Sequence, residues 1–247
     1  MLTAHCAIPH RPMFKPISKL LDWLGTHELA VRLAMLLIVA GIWAFAAIAD
    51  EVIEGDTQSF DDRILLAMRQ PEDPAKPIGP AWLPEVGRDL TAVGGIAMLV
   101  LITSSIVGFH LITGRYRAAG FILVAVLGGL LLSTLLKSLF DRPRPQLVPH
   151  LSHVISSSFP SGHSMMAAVV YLTLGSLLAG LTTSKRLRVY YLSISVIITM
   201  LVGISRVYMG VHYPTDVLAG WTAGGVWATL CWMVARMMKN RGTVDAE

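Results

Sequence analysis

The sequence is short of charge. Of its 247 residues only 15% are Asp, Glu, Lys or Arg, against about 25% in an ordinary soluble domain. That shortage excludes a water-soluble fold for the bulk of the chain. Cysteine is scarce as well. Cys6 lies in a basic N-terminal tail and Cys231 inside an apolar run, so neither a disulfide nor a cysteine metal site is expected. Internal repeats, low-complexity segments and heptads are missing. The first 28 residues are too polar for the apolar core of a secretory signal, and no small-residue cleavage site follows. The first apolar run is therefore expected to stay as an uncleaved anchor.

What the chain has instead is apolar length. Hydrophobic residues make up 54% of it, and the mean hydropathy is +0.61. A membrane span needs about 20 mostly apolar residues. Six candidates stand at 30–49, 91–111, 118–136, 162–181, 189–204 and 216–237; the fifth is short if it stops at Gly203 but runs on readily to Tyr208. The expected fold is all-α, a six-transmembrane-helix bundle forming one domain over 1–247.

The net charge of +4 could point to nucleic acid, but its distribution argues otherwise. Arg11, Lys15 and Lys19 precede the first span. Arg115 and Arg117 join the second to the third. Lys185, Arg186 and Arg188 join the fourth to the fifth, and Arg236, Lys239 and Arg241 follow the sixth. Basic connections mark the cytoplasmic side, which places both termini there. Residues 1–28 become a cytoplasmic tail, with Ile17, Leu20, Leu21 and Leu24 at the spacing of a short interfacial helix. The acidic connection 50–89 becomes an extracytoplasmic loop. The partners implied are a bilayer and a lipid, not nucleic acid.

Within that loop, Ser59 and Asp62 resemble a capping box. Phe60, Ile64, Leu65 and Met68 would then share a face of an interfacial helix. Pro71, Pro74, Pro77, Pro80 and Pro84 stop a long helix after it, and Trp82 suits the headgroup level. Gly94, Gly95, Gly128, Gly129, Gly220, Gly224 and Gly225 read as close helix contacts. They are compatible with a monomer or a weak homodimer.

Three polar clusters remain, all on the predicted extracytoplasmic side. Charge at mid-bilayer costs roughly 2.5–3.5 kcal/mol per residue on insertion scales, so polar clusters near spans mark function. The first, at the end of span three, holds Lys137, Arg142 and Arg144, with Pro143 and Pro145 stiffening the chain. An arginine fork fits two phosphate oxygens, while lysine acts as a point charge. The second is Pro160-Ser161-Gly162-His163, at the start of span four. A helix start presents free N–H groups to an anion. Gly162 admits close approach, Ser161 adds a hydroxyl, and His163 stands where it can pass a proton. The third holds Arg206, His212 and Asp216. A carboxylate on one ring nitrogen sets the tautomer and leaves the opposite nitrogen a competent nucleophile. A helix cap at Asp216 and a bystander histidine at 163 are the plainer readings. His5, His10, His27, His110, His150 and His153 carry no such pattern.

Together, Lys137 to Pro145, Pro160 to His163 and Ser205 to Asp216 match KxxxxxxRP, PSGH and SRxxxxxHxxxD at every position. In this the chain resembles the type 2 phosphatidic acid phosphatase superfamily, and its six spans and acidic loop resemble the bacterial integral-membrane members. The resemblance implies a lipid phosphatase of a bacterial inner membrane, its site facing outward. His212 would attack phosphorus to give a phosphohistidine, with Asp216 orienting it and His163 protonating the leaving group. Lys137, Arg144, Arg206, Ser161 and the Gly162 backbone would hold the phosphoryl oxygens. No cofactor and no metal are implied. Undecaprenyl diphosphate, phosphatidate and phosphatidylglycerol phosphate are the candidate substrates. A lipid phosphotransferase using the same intermediate, and a lipid or anion transporter, are the alternatives.

Overall fold

A computed structural model of the chain describes residues 29–152 and 157–240. The expected interfacial helix at 16–25, Cys6, His5, His10, His27, His153 and Arg241 lie outside them. Among the described residues there are eight helices: α1 (Leu29–Glu54), α2 (Gln58–Ala67), α3 (Leu83–Val93), α4 (Ile96–Ile112), α5 (Tyr116–Leu139), α6 (Gly162–Gly180), α7 (Lys185–Tyr208) and α8 (Pro214–Asn240). Five of them are long and apolar enough to cross a membrane, and the bent pair α3 and α4 supplies a sixth pass. The protein is an all-α transmembrane bundle. Leu36, Leu37, Val196 and Ile197 lie exposed on its outside, as lipid-facing residues do.

α6 is the centre of the bundle. Met165, Ala167, Ala168, Val169 and Val170 are all shielded, and a single wide π-turn runs over Ala168–Leu172. Small residues let its neighbours close in. A Cβ on Gly220 of α8 would stand 2.7 Å from the Ser161 carbonyl oxygen, and one on Gly129 of α5 2.7 Å from a Val169 methyl. Gly220, Gly224, Gly128 and Gly129 are thus used inside the fold, as the close helix contacts anticipated from sequence; Gly225 faces open space.

Two expectations about the segment between α1 and α4 need correction. α2 starts at Gln58 with Thr57 as N-cap, and Ser59 lies inside the helix. Asp62 does not reach back to a cap, because the Gln58 amide already donates to it at 2.7 Å. The buried stripe is Asp61, Ile64, Leu65 and Met68, spaced i, i+3, i+4, i+7. Leu65 is wholly buried against Val148, Val207, Tyr213 and Val217, while Phe60 turns outward. A carboxylate has taken the place expected for an aromatic ring. The second span is also not one straight helix over 91–111: α3 and α4 meet at 45° across Gly94 and Gly95, where Gly94 packs directly on Val202. Pro71, Pro74, Pro77 and Pro80 lie in non-helical chain, part of which pairs as β1 (Arg69–Gln70) with β2 (Asp73–Pro77), antiparallel, whereas Pro84 sits in the first turn of α3, where a proline is tolerated.

Candidate active site

The three polar clusters converge at one end of the bundle. Lys137 comes from the last turn of α5, and Asp141 to Pro145 continue as non-helical chain because prolines cannot extend the helix. Gly162 and His163 open α6. Arg206 sits in the last turn of α7, and Gly210, at φ 73°, turns the chain back so that His212 precedes α8. Lys137, Arg144, Gly162, His163, Arg206 and His212 line one cavity of about 540 Å³. From this polar end the cavity continues between α4 and α5 along Leu99, Val126 and Leu130.

Each cation is held in place. The Lys137 ammonium donates to the Ser157 carbonyl at 2.9 Å. Arg144 donates to the Val211 carbonyl at 2.6 Å and lies 3.2 Å from His212 Nε2. Burial lowers the Arg144 pKa, with Asp216 pulling the other way, so a charged oxygen arriving at the cavity would be well received. Arg206 is 1% exposed and donates to Thr91 of α3 at 3.1 Å. Its Nε is buried without a partner. Space at Gly162 is tight: a Cβ there would stand 3.1 Å from Lys137 Cε, so the lysine would have to give way by a few tenths of an ångström.

His212 is anchored from behind. Its Nδ1 lies 3.4 Å from Asp216 Oδ2, which directs the ring proton to the carboxylate and leaves Nε2 toward the cavity. Asp216 Oδ2 also accepts the Tyr213 N–H at 2.9 Å and the Ser158 hydroxyl. Asp216, in the first turn of α8, therefore ties back to the backbone N–H just ahead of the helix and is also the partner of the imidazole. Burial holds the His212 pKa down to about 4, against the upward pull of Asp216, so the ring is neutral at neutral pH.

Ser161 is placed differently from the others. It is fully buried and caps α6, its oxygen accepting from Ser164 Oγ at 2.8 Å, and its own N–H bonds to the Asp216 carbonyl at 2.9 Å. It braces the second cluster against the third, and only its hydroxyl hydrogen is left to donate.

One cation of the first cluster serves the site from behind, and its partners were not singled out from sequence. Arg142 faces away from the cavity wall, its fork joining Asp216 Oδ1 and Asp61 Oδ2 at 2.7 Å each. Burial depresses its pKa, but the two carboxylates outweigh that and the net shift is upward. Ser158, Thr91, Thr215 and Asp61 complete the surroundings. The one available sequence signal was Asp61, a carboxylate on an otherwise apolar helical stripe. His150 bonds only to the Pro145 carbonyl, in keeping with an ordinary loop histidine. Among the described residues, no three His, Cys, Asp or Glu side chains group as metal ligands.

Known proteins resemble this chain in sequence and in fold. The PAP2 superfamily model matches residues 118–239, a range that holds all three clusters. Phosphatidylglycerophosphatase B of Bacillus subtilis strain 168 is 37% identical over 73% of this chain and 85% of its own length. The lipid A 1-phosphatase of Rhizobium etli is 30% identical over 61% of this chain and 70% of its own. The crystal structure of a transmembrane PAP2-type phosphatidylglycerolphosphate phosphatase from Bacillus subtilis superimposes with a TM-score of 0.71, at 31% identity, covering 81% of this chain and 96% of that one.

Proposed function

The chain belongs to the PAP2 superfamily and is a lipid phosphatase of that type, and on this premise we propose that it hydrolyses a lipid phosphomonoester or diphosphate through a phosphohistidine on His212. The observation that carries the reading is the single cavity in which Lys137, Arg144, Arg206 and two histidines meet an apolar groove. The phosphate occupies the polar end and an acyl or prenyl chain the groove between α4 and α5. Of the three candidate lipids, phosphatidylglycerol phosphate stands first, because the relative matched over 85% of its length is named for it.

The proposed steps draw on the residues that line the cavity. Lys137, Arg144, Arg206 and the N–H groups at the start of α6 surround the phosphoryl oxygens and stabilise the charge that spreads over them in the transition state. His212 Nε2 attacks phosphorus while Asp216 takes the developing charge at Nδ1. The bond from phosphorus to the leaving oxygen breaks, and its electron pair is met by a proton from His163. Water then attacks the phosphohistidine, giving its proton to His163, and inorganic phosphate leaves with His212 restored. No metal enters these steps. The site faces the extracytoplasmic side, since the basic connections lie at the opposite end of the bundle; a bacterial inner membrane suits that arrangement.

A transporter reading is disfavoured because the cations gather at one end of the bundle rather than on broken helices at mid-depth. The test is phosphate release from a panel of phosphatidylglycerol phosphate, phosphatidate and undecaprenyl diphosphate, with His212→Ala as control. Release by the wild type alone supports the reading. Release by both removes His212 as the nucleophile. Phosphate appearing on an added lipid alcohol instead of in solution makes the protein a phosphotransferase.

A further inference from the structure

We propose that Asp61 on α2 is a positioning residue for the reaction: it holds Arg142, and through Arg142 the Asp216 carboxylate that orients His212. This rests on the phosphohistidine reading above. Asp61 is fully buried, and no motif includes it. Its Oδ2 accepts from Arg142 at 2.7 Å and from the Thr215 hydroxyl at 2.5 Å; its Oδ1 accepts the Thr215 N–H at 3.0 Å. The other arm of the Arg142 fork reaches Asp216 Oδ1 at 2.7 Å and Thr215 Oγ1 at 2.8 Å. The guanidinium plane is also fixed by the Tyr213 ring, 4.3 Å from its centre.

The arrangement is more than a structural pin. Arg142 spans two buried carboxylates, so each determines where the fork points. Both oxygens of Asp216 are thereby occupied: Oδ1 by Arg142, Oδ2 by Ser158, Tyr213 N–H and His212. The carboxylate cannot rotate away from the imidazole. The charges matter too. Asp61, Arg142 and Asp216 together carry one net negative charge, set against the positive charge that His212 gains as it bonds phosphorus. With Asp61 neutral, Arg142 would cancel Asp216 more completely, and the imidazolium would lose support. The short helix in the connection after α1 is thus part of the nucleophile's scaffold, although it touches no substrate.

Asp61→Asn, close to isosteric, separates positioning from binding. Because Lys137, Arg144 and Arg206 are untouched, KM should hold within about twofold while kcat falls roughly 10–100-fold, the size of loss seen when the partner that orients a metal-ligating side chain is removed. In an Asp216→Asn background the same change should cost little more, since Asp61 acts through Asp216. Arg142→Lys keeps the charge but loses the fork, and should reproduce the kcat loss. Full kcat in folded Asp61→Asn, or losses that multiply in the double variant, overturns the proposal alone. A wild type inactive on every lipid overturns the phosphatase reading, and the proposal with it. Failure of both Asp61→Asn and Arg142→Lys to fold in detergent makes the contact purely structural, which also overturns it.

Discussion

Nη1 of Arg144 lies 3.2 Å from Nε2 of His212. In the proposed reaction, a guanidinium this close to the attacking nitrogen marks where the phosphoryl group would sit. Its place is set by the backbone: Arg144 is tied to the carbonyl of Val211, the residue before the histidine, so cation and imidazole share one frame.

Substitution of the nucleophile and of its partner should differ in degree. His212→Ala is expected to abolish phosphate release. Asp216→Asn should lower kcat by roughly 10³–10⁴-fold, the size of effect found when a histidine loses its orienting carboxylate in a serine protease. Single-turnover phosphate release by the purified variants measures both.

Radiolabelled substrate should leave label on the protein after a neutral or alkaline quench, and acid should remove it. The label should map to the peptide containing His212. A wild type that turns over but never carries label speaks for direct attack by water.

The pH dependence follows from the buried imidazole. His212 has its folded pKa lowered to about 4, below the ordinary value of about 6.5. Between those values the folded protein binds fewer protons at this ring than the unfolded chain. Its stability contribution is therefore complete above about pH 6.5 and falls away as pH drops through about 4. The imidazole is neutral throughout that window, so the His212 limb of kcat/KM should fall off only near pH 4. A His212 limb near 6.5, assigned by ring NMR, contradicts the burial argument.

The groove between α4 and α5 should matter only to substrates with a long chain. Leu130→Trp is expected to lower kcat/KM for a long-chain lipid phosphate while sparing a water-soluble short-chain phosphomonoester. Equal losses on both would place the chain elsewhere.

Topology gives an independent check. A reporter fused after Glu247 should report the cytoplasm. An external position would put the cavity on the cytoplasmic side and reverse the proposed source of substrate.

The readable and unreadable parts of the chain divide along physical lines. Helix starts at Ser161 and Pro214 are short-range matters, and the sequence announces them. The bend at Gly94 and Gly95 was less visible, because a pair of glycines in an apolar run fits close packing and kinking equally. α2 was misread in detail. Local rules favoured a Ser59 cap and an inward Phe60, whereas the buried stripe runs through Asp61, whose partners Arg142 and Thr215 lie 81 and 154 residues away.

By itself the sequence determined the membrane setting, the apolar passes and the residue types for phosphate chemistry, because hydropathy and motif spacing are local properties of the chain. The motif pattern already set Arg144 apart; only the tertiary structure decided that Arg142 turns away to brace the Asp216 carboxylate. Arg142 and Arg144 are chemically alike and two positions apart. What separates them is the buried charge each one meets, and that charge is delivered by helices distant in sequence.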